Sequence, residues 1–128
     1  MILPSNIYPP NESKMHKRLC QKFIKKYGGE LNPDRYGTDI ILGKHWVEIF
    51  TFSSMKWDMW RLKRKIERYI RQCPGTVILV VAKRDWGKFK SNIATFATIV
   101  PEPPEEIIKS GKKITYHAFG RNFEMIGL

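Results

Sequence analysis

Hydrophobic positions along this chain recur at two periods, and the changes from one to the other mark out its elements. Residues 38–52, TDIILGKHWVEIFTF, hold an apolar run, then Gly43-Lys44, then an alternating run. Glycine as the first central residue predicts a type II′ hairpin turn. A loop of those two residues sets the register, so that Leu42 faces His45, Ile41 faces Trp46, Ile40 faces Val47, and Asp39 stands opposite Glu48. Opposed residues project to one face with Cβ atoms roughly 5 Å apart, where like charges repel.

Upstream, Met15, Leu19, Cys20, Phe23, Ile24 and Tyr27 follow the helical period. They predict a helix over 11–27, capped by Asn11 and ended by Gly28-Gly29. Glu12 shares the face of positions 15, 19 and 23, which makes it either a first-turn acid complementing the helix dipole or a side chain aimed at an active site. Prolines at 4, 9 and 10 predict an irregular arm over 1–10. Residues 30–32 begin a sheet, and Pro33-Asp34-Arg35-Tyr36-Gly37 makes a turn into the hairpin.

Downstream, Met55, Met59, Leu62, Ile66, Tyr69, Ile70 and Cys73 form the stripe of a long helix over 55–72, with Ser53 and Ser54 as caps and Pro74-Gly75 as its stop. Trp57 and Trp60 lie off the stripe, as rim packing or as platforms for bases. Residues 76–82, TVILVVA, are apolar on both faces, as in a buried strand reached by a parallel crossover. Residues 86–97 suit a helix, with a strand as the alternative near 95–100. PEPPEE at 101–106 reads as a surface connection, with a short helix around 104–110. A final strand pair covers 113–119 and 122–128, turning at Gly120-Arg121.

A length of 128 residues with 42 % hydrophobic content predicts one domain over 11–128, comprising a core at 11–83 and additions at 84–128. The 23 Lys and Arg against 12 Asp and Glu leave a formal charge of +11. That surplus changes the picture most, because it points to a polyanion, nucleic acid first and an anionic membrane surface second, and only the family resemblance given below puts DNA ahead of RNA. Its carriers are Lys14, Lys17 and Arg18 on the first helix, Arg61, Lys63, Arg64 and Arg68 on the second, and Lys83-Arg84 at the strand exit. They serve either as solvated faces or as contacts to phosphates. Cys20 and Cys73 suggest neither a disulfide framework nor a zinc site, which suits a reducing, intracellular compartment, and the N-terminus lacks signal-peptide features. His16, His45 and His117 show no ligand spacing and read as surface or packing residues, with His45 nearest the hairpin.

The Asp39–Glu48 repulsion can be relieved by water at a solvated edge or by a divalent cation, since Mg²⁺ takes one or two carboxylates and keeps several waters. Glu48 shares its strand face with Trp46, Phe50 and Phe52, where an unpaired carboxylate is costly. With the order helix, strand, hairpin, helix, strand and the acids Glu12, Asp39 and Glu48, residues 11–83 resemble the PD-(D/E)XK nuclease superfamily, which includes Holliday-junction resolvases. The resemblance implies an α/β restriction-endonuclease-like αβββαβ core with a mixed central sheet flanked by helices. It also implies that Glu12, Asp39 and Glu48 surround Mg²⁺ or Mn²⁺ for phosphodiester hydrolysis in DNA.

The chain departs from that pattern at Phe50, which stands where the family's E-x-K tripeptide has its lysine. Two lysines on the following helix are candidates to replace it. Lys65, in Lys65-Ile66-Glu67-Arg68-Tyr69, occupies the place of a glutamine that many relatives carry, and Lys56 lies in the helix's first turn. The expected function is a metal-dependent DNA endonuclease; the alternative is a catalytically decayed protein of the same fold that binds DNA without sequence preference. A basic protein–protein adaptor is a third class, one that leaves the opposed acids unexplained. Cutting both strands of a duplex or junction would imply a symmetric homodimer.

Overall fold

The protein is described here by a computed structural model covering residues 14–34, 37–51, 55–100 and 112–128, with backbone only at 55–59 and 112. In chain order the elements are α1 (Lys14–Tyr27), β1 (Glu30–Leu31), β2 (Ile40–Leu42), β3 (His45–Ile49), α2 (Met55–Gln72) and β4 (Val77–Val81). A 3₁₀ turn (Lys83–Asp85) then leads to α3 (Trp86–Ile93), β5 (Thr98–Ile99), β6 (Lys112–Ala118) and β7 (Arg121–Gly127). All strands join one mixed sheet of seven, in the order β1-β2-β3-β4-β7-β6-β5. The pairs β3–β4 and β4–β7 are parallel and the others antiparallel.

The hairpin forms in the expected register, with Ile40 opposite Val47, Ile41 opposite Trp46 and Leu42 opposite His45. Gly43 adopts φ 59° while Lys44 stays out of the left-handed region, as a type II′ turn requires. α2 occupies the span that its apolar stripe and Pro74 predict, and it serves as the crossover to β4. Every residue of β4 is buried, because this strand is central and covered on both faces.

Strand alternation divides the core in two. Trp46, Phe50, Val77, Leu79 and Val81 pack with α2 and α3, whereas Val47, Ile49, Ile78 and Val80 pack with α1. Full burial of one such side chain contributes about 1.5–3 kcal/mol. Glu48, between Trp46 and Phe50 on β3, therefore belongs to the face under α2, and the helix rows that bury Leu62, Ile66 and Tyr69 come down beside it.

Three expectations need correction or completion. The last hairpin turns at Phe119-Gly120, one residue earlier than predicted, with Ala118 opposite Arg121. Both central residues have positive φ, 54° and 81°, which is the type I′ geometry that matches strand twist, and Phe119 is held there by stacking on Phe96 with ring centroids 6.2 Å apart. Near 95–100 the helix and strand alternatives are both realised in turn: α3 ends at Ile93, and Thr98–Ile99 pairs with β6 as an edge strand. The arm, Asn11, Glu12, Ser53, Ser54, and the connection and short helix expected over 101–110 lie outside the described residues. Among the described residues, no helix is long and apolar enough to cross a membrane.

Candidate active site

Asp39 lies one residue before the first pair of the β2–β3 ladder, and its side chain takes over where the backbone pairing ends. Its main-chain oxygen accepts from the Asn32 N–H at 2.9 Å, and its carboxylate Oδ2 accepts from the Ile49 N–H at 2.8 Å. The carboxylate thereby fills a ladder position on β3 and is fixed beside Glu48. The two carboxyl groups are close enough for each to act on the acidity of the other. Glu48 is only 4 % exposed, whereas the Asp39 side chain retains 27 %, so the pair opens to solvent on the Asp39 side.

Two further side chains complete the cluster, one from each face of the sheet. From α2, Lys65 Nζ reaches Glu48 Oε2 at 3.2 Å, its stem exposed and its ammonium resting on a buried carboxyl. From α1, His16 Nε2 lies 3.3 Å from Asp39 Oδ2, and its Nδ1 lies 3.7 Å from the Cys20 Sγ. Burial, then the charges of Asp39 and Glu48, push the Cys20 thiol up, so it stays protonated beside that ring.

The carboxyls are pulled apart in acidity. Burial, followed by the charge of Asp39, raises Glu48 well above the ordinary glutamate value, with Lys65 offsetting only part. Burial also pushes Asp39 upward, but the hydrogen bond and charge of His16, the Glu48 hydrogen bond and the Ile49 amide outweigh it and hold Asp39 below its ordinary value. The two carboxyls are thus driven in opposite directions, Glu48 toward its protonated form and Asp39 toward its ionised one.

This donor set fits a hard divalent cation. A buried carboxyl that ionises reluctantly gains a partner when the cation displaces its proton, and the solvent-facing Asp39 side leaves room for waters. Among the described residues, no group of three or more His, Cys, Asp and Glu side chains is placed to hold a metal ion. Asp39 and Glu48 would therefore be its protein ligands there, and Glu12, the third acid anticipated, is outside the described residues.

The remaining candidates are distributed as follows. Phe50 is buried in the α2–α3 core, its ring perpendicular to Phe89 with centroids 5.2 Å apart. Lys65 is the lysine brought to the carboxylates; Lys56 lies on the first turn of α2, its side chain not described. Arg64, Lys65, Arg68 and Arg71 line an open cleft of about 430 Å³ together with Glu67 and Gln72. Arg61 and Lys63 are exposed on the same helix, and Lys83 and Arg84 are exposed beyond β4. Lys14, Lys17 and Arg18 belong to α1, across the sheet from that cleft. His45, read as a surface or packing residue, accepts from the Thr76 N–H at 3.0 Å. His16 corrects the reading of the histidines as surface or packing residues. Its sequence signal was its place one turn after Glu12, on the side of the helix stripe that faces the sheet.

No family model, curated protein or solved structure matches the chain.

Proposed function

We propose that this protein is a metal-dependent DNA endonuclease of the PD-(D/E)XK type in which Lys65 replaces the missing E-x-K lysine. The observation that carries this reading is the 3.2 Å contact from Lys65 Nζ to Glu48 Oε2, made by a helix residue seventeen positions away. The order α1-β1-β2-β3-α2-β4, with β3 and β4 parallel, supports the same reading.

Asp39 and Glu48 are the residues that would hold Mg²⁺ or Mn²⁺. When bound, such an ion supplies Lewis-acid polarisation of the phosphate and lowers the pKa of water. His16 and the Ile49 amide fix the Asp39 carboxylate, so that its free oxygen keeps one orientation. Lys65 offsets negative charge as it builds on the phosphate, the role of a positioned electrostatic group worth on the order of 10²- to 10³-fold in rate. The cations of the α2 cleft hold the DNA backbone without reading bases.

Phe50 favours a second reading, a DNA-binding protein of this fold that no longer cuts. The test is incubation of purified protein with supercoiled and branched DNA in Mg²⁺ or Mn²⁺, beside Asp39→Ala. Metal-dependent products absent from the variant are expected for the nuclease. Salt-sensitive binding that survives the substitution without cutting would establish the second reading instead.

A further inference from the structure

A smaller cavity of about 140 Å³ is set between the last turns of α2, β3 and the loop that follows β1. Asn32, Asp34, Trp46, Arg68, Tyr69 and Gln72 contribute to its wall. Arg68 and Gln72 also line the 430 Å³ cationic cleft, so the two spaces share a boundary. Lys65, which pairs with Glu48, belongs to the cleft as well.

The two spaces differ in chemistry. Four cations line the cleft with Glu67; Arg71 pairs with Glu67 at 2.8 Å and Lys65 with Glu48, and the surplus of Arg64 and Arg68 suits a phosphate. The small cavity combines an indole with the primary amides of Gln72 and of Asn32, whose Oδ1 accepts from the Asp34 N–H at 3.0 Å and whose amide N–H groups remain as donors, which suits a flat ring system bearing hydrogen-bonding groups along its edge. Its volume is of the order of one such ring system. Tyr69 is not free to read a ligand, because its hydroxyl donates to the Gly37 carbonyl at 3.1 Å and its ring is perpendicular to Trp46. Burial, then the charge of Glu48, push the Tyr69 phenol up, so it stays a donor and pins the loop that forms the opposite wall. Arg68 lies over the Tyr69 ring at 5.1 Å, held at the boundary between the two spaces.

Distance also matches. Trp46 and Glu48 are alternate residues on one face of β3, about 7 Å apart along the strand. We propose that the small cavity receives one unstacked nucleobase of a bound nucleic-acid strand while the adjoining phosphate lies in the α2 cleft. This rests on the nucleic-acid part of the function proposed above and not on cleavage. It makes the site selective for strands whose bases can leave the stack, such as single-stranded or branched regions, over continuous duplex.

The experiment is a titration of ¹⁵N-labelled protein with deoxynucleoside 5′-monophosphates and, separately, with 2-deoxyribose 5-phosphate, followed on the Trp46 indole N–H and the Asn32 side-chain amide, which line the small cavity and not the cleft. Nucleotides are expected to shift both signals and to bind about tenfold or more tightly than the sugar phosphate, in keeping with one base stacked on an aromatic ring. The sugar phosphate should leave both signals unmoved. Asn32→Ala should reduce the nucleotide's advantage severalfold and leave the sugar phosphate unaffected. Equal affinities, no nucleotide binding, or nucleotide binding that leaves the two signals unmoved would overturn the proposal. Base-dependent binding without metal-dependent cutting would defeat the nuclease reading alone, and cutting without base-dependent binding would defeat the cavity alone.

Discussion

The ammonium of Lys65 rests 3.2 Å from Glu48 Oε2, joining an exposed helix residue to a carboxyl that is almost wholly buried. The helix thus delivers a cation to a strand on which Phe50 supplies none. With α2 parked over Trp46, Glu48 and Phe50, a long side chain one helical turn before Tyr69 can descend to the strand, its stem lying on apolar neighbours.

Lys65→Ala should lower the cleavage rate by on the order of 10²- to 10³-fold, whereas Lys56→Ala should leave it within a few-fold of the parent. Single-turnover assays on a cleaved DNA substrate make the comparison. A Lys65→Ala enzyme cutting at the parental rate would remove this residue from the mechanism.

Metal affinity should rise with pH. Binding requires an ionised Glu48, and burial with the charge of Asp39 raises its pKa well above the ordinary glutamate value. Calorimetric titration with Mn²⁺ in buffers of differing ionisation enthalpy should record proton release on binding. A pH-independent affinity with no proton release would contradict the raised Glu48.

Without metal, the same two carboxyls make opposite contributions to stability. Glu48 is raised in the folded protein, so stability declines as pH climbs from the ordinary glutamate value through the folded one. Asp39 is lowered, so its contribution is present above the ordinary aspartate value and disappears as pH falls through the folded one. Glu48→Gln should therefore flatten the decline on the neutral side. Urea unfolding at a series of pH values reads the effect.

His16→Ala should weaken Mn²⁺ binding by about 10- to 100-fold, since partners that orient a ligating side chain typically matter to that extent. His16→Gln, which can still donate to Asp39, should recover part of the loss. A purely structural role for His16 would instead leave affinity intact while lowering the unfolding midpoint.

Phe50→Lys, which would create an E-x-K tripeptide, should fail to increase cutting and should destabilise the fold by about 3–5 kcal/mol or more, because it removes a buried ring packed on Phe89 and buries a charge. Denaturant unfolding alongside the cleavage assay covers both halves. A stable and faster variant would show that position 50 can face the carboxylates.

The local pieces were legible because their signals are local. Gly43 ahead of Lys44 announces the turn, the turn sets which residues oppose, and that register alone carries Asp39 to Glu48. The stripe from Leu62 to Cys73 with Pro74 behind it bounds α2, and the uninterrupted apolar run of β4 implies a strand covered on both sides. The shift of the last turn onto Phe119-Gly120 was hidden, because a phenylalanine at positive φ is unfavourable by itself and is held there by Phe96, a residue far away in the chain.

By itself, then, the sequence determined the α/β character, the pairing of two acids across a tight bend and the positive helical surfaces, since each follows from the spacing of neighbouring residues. Only tertiary structure decided that β7 lies against β4, that His16 meets Asp39 and Lys65 meets Glu48 from opposite faces, and that a cavity opens between α2 and β3. Those contacts arise where α1 and α2 dock on the sheet. Docking depends on how whole faces pack together, and no short stretch of chain encodes it.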